Sequence, residues 1–252
     1  MPILNNRNDQ NNLTNLRYSH SEISKKTKTI YKQILAEAKH FNGANFQAIS
    51  ASDLRRLFEM YDYHFFNRYF CNHLKNRISF RLSQRMTRSG GMTSFHKTTG
   101  DYSIVLSTTL IFQTFRDIKR EVVVNGLVCR NRLEATMRII EHEIIHLLER
   151  VLYGDSNCSR LRFGAMANDI FGHTGVTHQL VTQDERAYTK YNIRVGDNVT
   201  FDFTGKTHRG FVNRITKRAT VMVPDPKGQY IDKKGNKYLK FLIPIGNLRR
   251  SK

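Results

Sequence analysis

Residues 133–152, LEATMRIIEHEIIHLLERVL, form the stretch that decides the fold of the central part of this chain. Apolar residues recur there at helical spacing, which predicts an amphipathic helix: Leu133, Met137, Ile140, Ile144 and Leu148. The same stretch contains the pattern H-E-x-x-H, so the predicted helix also carries polar side chains that need partners when buried.

His142 and His146 are four residues apart, which places both imidazoles on one face of the helix, where they can bind one metal ion. Neutral imidazole is a common ligand of Zn²⁺, and we expect Zn²⁺ as the cofactor. Glu143 projects beside the metal, where it can accept a proton from zinc-bound water. The pattern therefore predicts a hydrolytic metal site with Glu143 as its catalytic base.

A third protein ligand is normally required, and the residues alone leave it open. The candidates downstream of the motif are Asp155, Cys158, His173 and His178. A further helix is predicted from about Ser159 to Phe171, and it would put His173 and His178 roughly 18 Å from its start. That distance favours a ligand near the beginning of the helix.

Lysine and arginine number 41 against 21 aspartate and glutamate residues, which gives a formal charge of +20. Such an excess is typical of proteins with a polyanionic partner, most often nucleic acid. No apolar run is long enough for a membrane helix, so we expect no membrane partner. The three cysteines are widely spaced and form no disulfide framework, which indicates a cytoplasmic compartment. Within it we expect association with the nucleoid, or a nuclear location if the source is a eukaryote.

Two regions flank the central part. Residues 1–24 are rich in polar residues and are expected to form a flexible arm, followed by helices and a short β-rich segment at residues 77–107. After Tyr191, short alternating segments separated by turns predict strands near residues 199–203, 210–215, 219–223 and 238–243. This spacing is typical of a small β-barrel.

The C-terminal segment is strongly basic, with 16 lysine and arginine residues against 6 acidic ones after residue 180, a net charge of 16 − 6 = +10. We expect phosphate contacts from five of its cations: Lys206, Arg209, Arg214, Lys217 and Arg218. Phe201, Phe203 and Phe211 are candidates for stacking on bases, although the alternation of Phe201 and Phe203 favours a place in the barrel core.

Several motifs in order resemble the SprT-like zinc metalloproteases, which include the Spartan-type proteases of DNA–protein crosslinks. They are Tyr61–Asn67, Leu82–Met86, Gly90–Thr93, Tyr102–Ser107, the H-E-x-x-H pattern, and Phe171–Thr174 with Thr177–Gln179. Together they cover about residues 54–180. The resemblance implies an α+β, zincin-like domain at residues 25–185 and zinc bound by His142 and His146. The segment at residues 191–252 is similar to a KOW or SH3-like barrel.

The third ligand departs from the family pattern. The family usually places a histidine in H-G-x-x-[FW] at the start of the following helix, where this chain has Ser159 and Arg160. Cys158 is adjacent and can bind zinc as a thiolate, and His173 is the alternative.

The resemblance implies a zinc-dependent protease acting on proteins bound or crosslinked to nucleic acid, with DNA expected in preference to RNA. A substrate peptide would add as a strand to an exposed sheet edge, for which residues 101–107 are the candidate. Two alternatives remain open. One is a nucleic-acid-binding protein with a degenerate, inactive protease site, and the other is a ribosome- or transcription-associated factor built on the basic barrel.

Overall fold

The computed structural model describes residues 12–251, which divide into two compact units between Leu180 and Val181. The residues before position 12 in the expected N-terminal arm lie outside the described part. Within the described part, helix α1 begins at His20, where Ser19 and Glu22 form a capping box. Leu13 and Ile23 are buried, and the flexible arm expected at residues 1–24 stays a prediction.

The first unit contains both helices and strands, as the α+β prediction requires. Its helices are α1 (His20–Glu37), α2 (Ala51–Phe66), α3 (Tyr69–Leu74), α4 (Thr108–Gln113), α5 (Arg132–Tyr153) and α6 (Leu161–Phe171). Its strands are β1 (Ile78–Ser83), β2 (Gly91–His96), β3 (Asp101–Ser107), β4 (Val122–Val124) and β5 (Leu127–Cys129). Among the described residues, no helix has both the length and the hydropathy needed to cross a bilayer.

Strands β1, β2 and β3 form one sheet in the order β1-β3-β2. Strand β3 runs parallel to β1, with Ile78 opposite Tyr102, and antiparallel to β2, with Gly91 opposite Leu106. The prediction that residues 101–107 form the sheet edge is therefore wrong. Those residues form the central strand, whose side chains are almost all buried, and β2 is the edge that lies against α5.

Helix α5 is the centre of the first unit. It packs against α2, α4, α6, strand β2 and the β4–β5 hairpin, and most of its residues are buried. Its first residue, Arg132, is buried and donates to the backbone carbonyls of residues 45, 46, 111, 112 and 114. One guanidinium thus fixes the start of α5 to two other segments of the chain.

The second unit begins with helix α7 (Gln183–Tyr191) and continues as an antiparallel sheet. Its strands are β6 (Asn198–Phe203), β7 (Lys206–Ile215), β8 (Ala219–Pro224), β9 (Tyr230–Ile231), β10 (Lys237–Ile243) and β11 (Arg249–Arg250). The strand order is β11-β6-β7-β8-β10-β9. The four strands predicted after Tyr191 correspond to β6, β7, β8 and β10, while the SH3-like closure stays a prediction.

One face of this sheet forms a core with Ala187 of α7 and Ile193. Phe201 is completely buried in this core, as its alternation with Phe203 suggested. Phe203 is 46% exposed, because it stands at the end of β6 where the core stops.

Candidate metal centre

Helix α5 presents the two histidines of the motif side by side. The side chain of Asn131 caps the helix by accepting from the backbone N–H of Glu134, and the helix ends at Gly154, whose φ of 77° lies in the left-handed region. The Nε2 atoms of His142 and His146 lie 3.1 Å apart. Two nitrogens bound to one tetrahedral Zn²⁺ lie about 3.3 Å apart, so the observed pair fits a single ion.

Cys158 joins this pair from the loop between α5 and α6. One ligand atom from each of His142, His146 and Cys158 lies within 4.8 Å of the other two. His142 is buried, and the other two residues are half-buried, so the cluster has a solvent-facing side. Two imidazole nitrogens and a thiolate form a donor set that suits Zn²⁺ and leaves a fourth position for water.

A chain of hydrogen bonds fixes the orientation of His146. Ser156 Oγ lies 2.7 Å from His146 Nδ1 and donates to Glu149 Oε2 over 2.6 Å. Because the hydroxyl proton goes to the carboxylate, the serine oxygen accepts from His146, and Nδ1 carries the imidazole proton. The lone pair of His146 is then on Nε2, which is the tautomer that binds a metal through that atom.

The loop before α6 is held by the same carboxylate. Glu149 is fully buried, and it also accepts from Arg162 Nε at 2.7 Å and from the backbone N–H of Asn157 at 3.2 Å. Ser156 and Asn157 immediately precede Cys158, so Glu149 determines where this thiol is placed.

Glu143 lies buried next to the imidazoles. Thr93 of the edge strand β2 donates its hydroxyl to Glu143 Oε2 at 2.8 Å. A Cβ added at Gly91 would lie 2.6 Å from Glu143 Oε1, so only glycine fits at that position. Burial raises the pKa of Glu143 to about 8, although the hydrogen bonds from Thr93 act in the opposite direction. A cation beside this carboxyl would favour its ionised form.

The imidazoles are held in their neutral form. Burial, together with the neighbouring imidazoles of His178, His146 and His173, lowers the pKa of His142 to about 2. Burial also lowers the pKa of His146 to about 4, with Glu149 opposing this shift and Arg150 adding to it. Neutral imidazoles offer lone pairs to a metal ion at neutral pH.

His173, the alternative third ligand, is not brought to this cluster. Its Nε2 lies 2.7 Å from Glu141 Oε2, and both side chains are buried. Glu141 also accepts from Tyr61 at 2.6 Å and from Arg138. Burial raises the pKa of Glu141, but Arg138, His173 and Tyr61 outweigh it and hold that pKa below its usual range. His173 therefore contributes to the packing of α5, and it does not lie where a third metal ligand would have to be.

The distance argument against His178 was wrong. Arg162 contacts Glu149 and His173 contacts Glu141, so α6 runs back along α5 and returns the chain to the motif. The His178 ring centroid lies 4.7 Å from that of His142. The atom Nε2 of His178 is buried without a hydrogen-bond partner, yet His178 is not a member of the three-residue ligand cluster.

Sequence reasoning missed Thr93, Glu149 and Ser156. Thr93 follows the Gly90–Gly91 pair that the resemblance included, but neither it nor the other two residues has a spacing that marks it as a partner of the motif. Their roles come from tertiary contacts between β2, α5 and the following loop.

The five predicted phosphate-binding cations all lie in the second unit. Arg209 and Arg214 are exposed on β7, Lys206 begins that strand, and Lys217 and Arg218 lie in the turn between β7 and β8. Together they extend along β7 and its turn rather than forming one compact cluster.

Helix α5 carries two converging imidazoles and a buried carboxylate and packs beside a three-stranded sheet. This arrangement is typical of metallopeptidase-like domains. The model of the SprT-like family matches residues 54–180, half of the 252 residues, and the chain belongs to this family. The SprT-like family is linked to zinc-metalloprotease-like function. No curated protein and no solved structure matches the chain.

Replacing the thiol tests the ligand cluster. We expect Cys158→Ser to lower zinc affinity by more than the roughly 100-fold that loss of an outer partner of a ligand costs. The measurement is a competition titration against a chromogenic chelator, with Cys71→Ser, which removes another half-buried thiol, as the control. Adding Ser159→His to Cys158→Ser is expected to restore part of the affinity. Unchanged affinity in Cys158→Ser would remove Cys158 from the site.

A second substitution tests the hydrogen bond that orients His146. We expect Ser156→Ala to lower zinc affinity about 10- to 100-fold, because the imidazole loses the partner that fixes its tautomer. Ser159→Ala is the matched control, since Ser159 is exposed and its hydroxyl bonds Asn157. Equal losses in the two variants would contradict a specific role for Ser156.

Proposed function

We propose that this protein is a zinc-dependent protease that cleaves proteins bound or crosslinked to DNA. The proposal rests on one observation, which is that the Nε2 atoms of His142 and His146 lie close together beside the buried carboxylate of Glu143. A bound Zn²⁺ would supply a Lewis acid for the scissile carbonyl and lower the pKa of the attacking water.

Residues of the chain would bind the metal, transfer the proton and position the catalytic carboxylate. His142, His146 and Cys158 would hold the metal. Glu143 would accept the proton of the attacking water at a carboxylate oxygen and pass it to the leaving amine. Thr93 holds that carboxylate against β2, so its position relative to the edge strand is fixed before substrate binds.

Strand β2 is the proposed site for the substrate backbone. Among the described strands it pairs only with β3, and its first residue, Gly91, lies against Glu143. A peptide that adds to the free side of β2 as a further strand would pass next to the catalytic carboxylate. Residues 91–96 thus replace residues 101–107 as the proposed docking edge.

The expectation of a DNA partner rests on charge. The residues after Leu180 carry a net charge of 16 − 6 = +10. Arg209 and Arg214 project from one strand, and neither forms one of the ion pairs found in the described part of the chain. A cationic unit attached to a protease would concentrate the enzyme on substrates that are bound to nucleic acid.

The proteolytic part is tested with Glu143→Gln. The amide is nearly isosteric and can still accept from Thr93, but it cannot take a proton, so proteolysis should fall about 10²- to 10⁴-fold. Zinc content and DNA affinity should remain those of the wild type. The assay is digestion of a protein crosslinked to an oligonucleotide, with Glu134→Gln on the same helix as the control.

Two results would contradict this assignment. Undiminished digestion by Glu143→Gln would exclude Glu143 as the base. A wild-type protein that binds DNA but neither binds zinc nor digests any substrate would instead support the alternative of a DNA-binding protein with an inactive protease site.

The nucleic-acid part is tested by salt dependence. Each phosphate contact contributes about −0.9 to the slope of log K against log salt on duplex DNA. Replacing both Arg209 and Arg214 by glutamine should therefore make the slope shallower by up to about 1.8. Lys39→Gln, an exposed cation of the first unit, serves as the control and should leave the slope unchanged. An unchanged slope in the double variant would place the binding surface elsewhere.

A further inference from the structure

The sheet of the second unit has an outer face, which we define as the face directed away from the core of that unit. Its side chains alternate with buried or half-buried ones along β7, β8 and β10. Phe211 on β7 pairs with Met222 on β8, and Met222 pairs with Lys240 on β10. A row of aromatic, apolar and cationic side chains therefore crosses three adjacent strands.

Aromatic rings lie next to this row. The ring of Phe211 is 5.5 Å from that of Tyr238, at an interplanar angle of 88°. In such an edge-to-face pair, the ring that contributes its edge keeps both of its faces available for other contacts. Tyr230, which pairs with Tyr238, is 42% exposed and lies beneath the Lys240 ammonium at 4.4 Å.

Cations flank these rings on the same face. Arg209 lies two residues before Phe211, and a bulge between Val212 and Arg214 brings Arg214 opposite Thr220 on the outer face. The nearby acids already have partners, since Asp202 binds Arg249 and Asp232 binds Tyr238 and Asn236. The outer face therefore combines free positive charge with the half-buried rings of Phe211 and Tyr238 and the exposed ring of Tyr230.

We propose that the outer face, centred on Phe211 and Tyr238, binds single-stranded DNA by stacking unpaired bases on these rings, while Arg209, Arg214 and Lys240 contact the backbone. This inference rests on the proposed nucleic-acid partner and specifies its form. Interleaved rings and cations are the combination that single strands require, because each unpaired base offers a π-face and each phosphate a charge.

The composition of the face selects among nucleic acids. In a duplex the bases stack on one another, so rings on a sheet surface find no free base faces. Met222 and Leu242, which is 54% exposed, are the apolar neighbours of the rings, and they offer no partner to a 2′-hydroxyl. Because Thr220 and the tyrosine hydroxyls of the same face can bind a 2′-hydroxyl, the choice of DNA follows from the proposed function.

The experiment compares two 20-nucleotide probes, oligo(dT) and an abasic strand of the same length, by fluorescence anisotropy with the full chain. Because stacking contributes about 1–3 kcal/mol per base, Phe211→Ala and Tyr238→Leu should each weaken oligo(dT) binding about 5- to 140-fold. Binding of the abasic strand and the salt slope should not change. Tyr238→Phe, which keeps the ring, should bind as the wild type does.

A fluorescent reporter avoids dependence on variants that destabilise the sheet. The chain contains no tryptophan, so Phe211→Trp introduces a single indole at the centre of the face. Its emission should be quenched by oligo(dT) and not by the abasic strand. Phe203→Trp, at an exposed aromatic position outside the outer face, is the matched control and should not respond.

The outcomes separate this inference from the function on which it rests. Equal wild-type affinity for oligo(dT) and the abasic strand, or quenching only in Phe203→Trp, would overturn base stacking on the outer face while the DNA partner stands. Tighter binding of oligo(rU) than of oligo(dT) would overturn the choice of DNA. Failure to bind any single strand while duplex DNA is bound would overturn this inference alone, and failure to bind both would also overturn the proposed nucleic-acid partner. None of these results depends on proteolysis.

Discussion

The first unit depends on one constraint, which is that helix α5 buries polar and charged side chains along almost its whole length. Buried polar groups without partners are costly, so most of those on α5 are matched by other groups. Arg132 is matched by backbone carbonyls, Glu141 by Tyr61, Arg138 and His173, Glu143 by Thr93, and Glu149 by Ser156 and Arg162. These partners come from α2, β2, α4, α6 and the loops beside them, so satisfying α5 also fixes the arrangement of the unit.

The same constraint accounts for the geometry of the metal centre. Glu149 lies one turn after His146, and its carboxylate holds both the serine that orients His146 and the loop that leads to Cys158. The histidine that the resemblance implies is absent, but the contacts of Ser156 and Asn157 with Glu149 place the next residue, Cys158, close to the two imidazoles.

Much of this could be predicted from the sequence, and the failures have a common physical cause. Periodicity located α5 and α6, alternation located the strands of the second unit, and the H-E-x-x-H pattern identified the two imidazoles and Glu143. The sheet order was not predicted correctly. The sequence pattern of residues 101–107 is the same whether other strands pair with them on one side or on both sides. His178 was placed too far from the motif because distance along α6 does not report that α6 returns along α5. Thr93 and Ser156 carry no spacing signal and are defined only by tertiary contacts.

The charge and the chemistry of this chain reside in different units. The metal centre is built entirely from residues before Leu180, whereas half of the formal net charge of +20 belongs to the residues after it. Each unit has its own hydrophobic core. The proposed affinity for a polyanion and the proposed hydrolysis at Glu143 are therefore assigned to different units. The proposed protease of substrates attached to nucleic acid would require both, because the +10 charge would raise its local concentration and Glu143 would accept the proton.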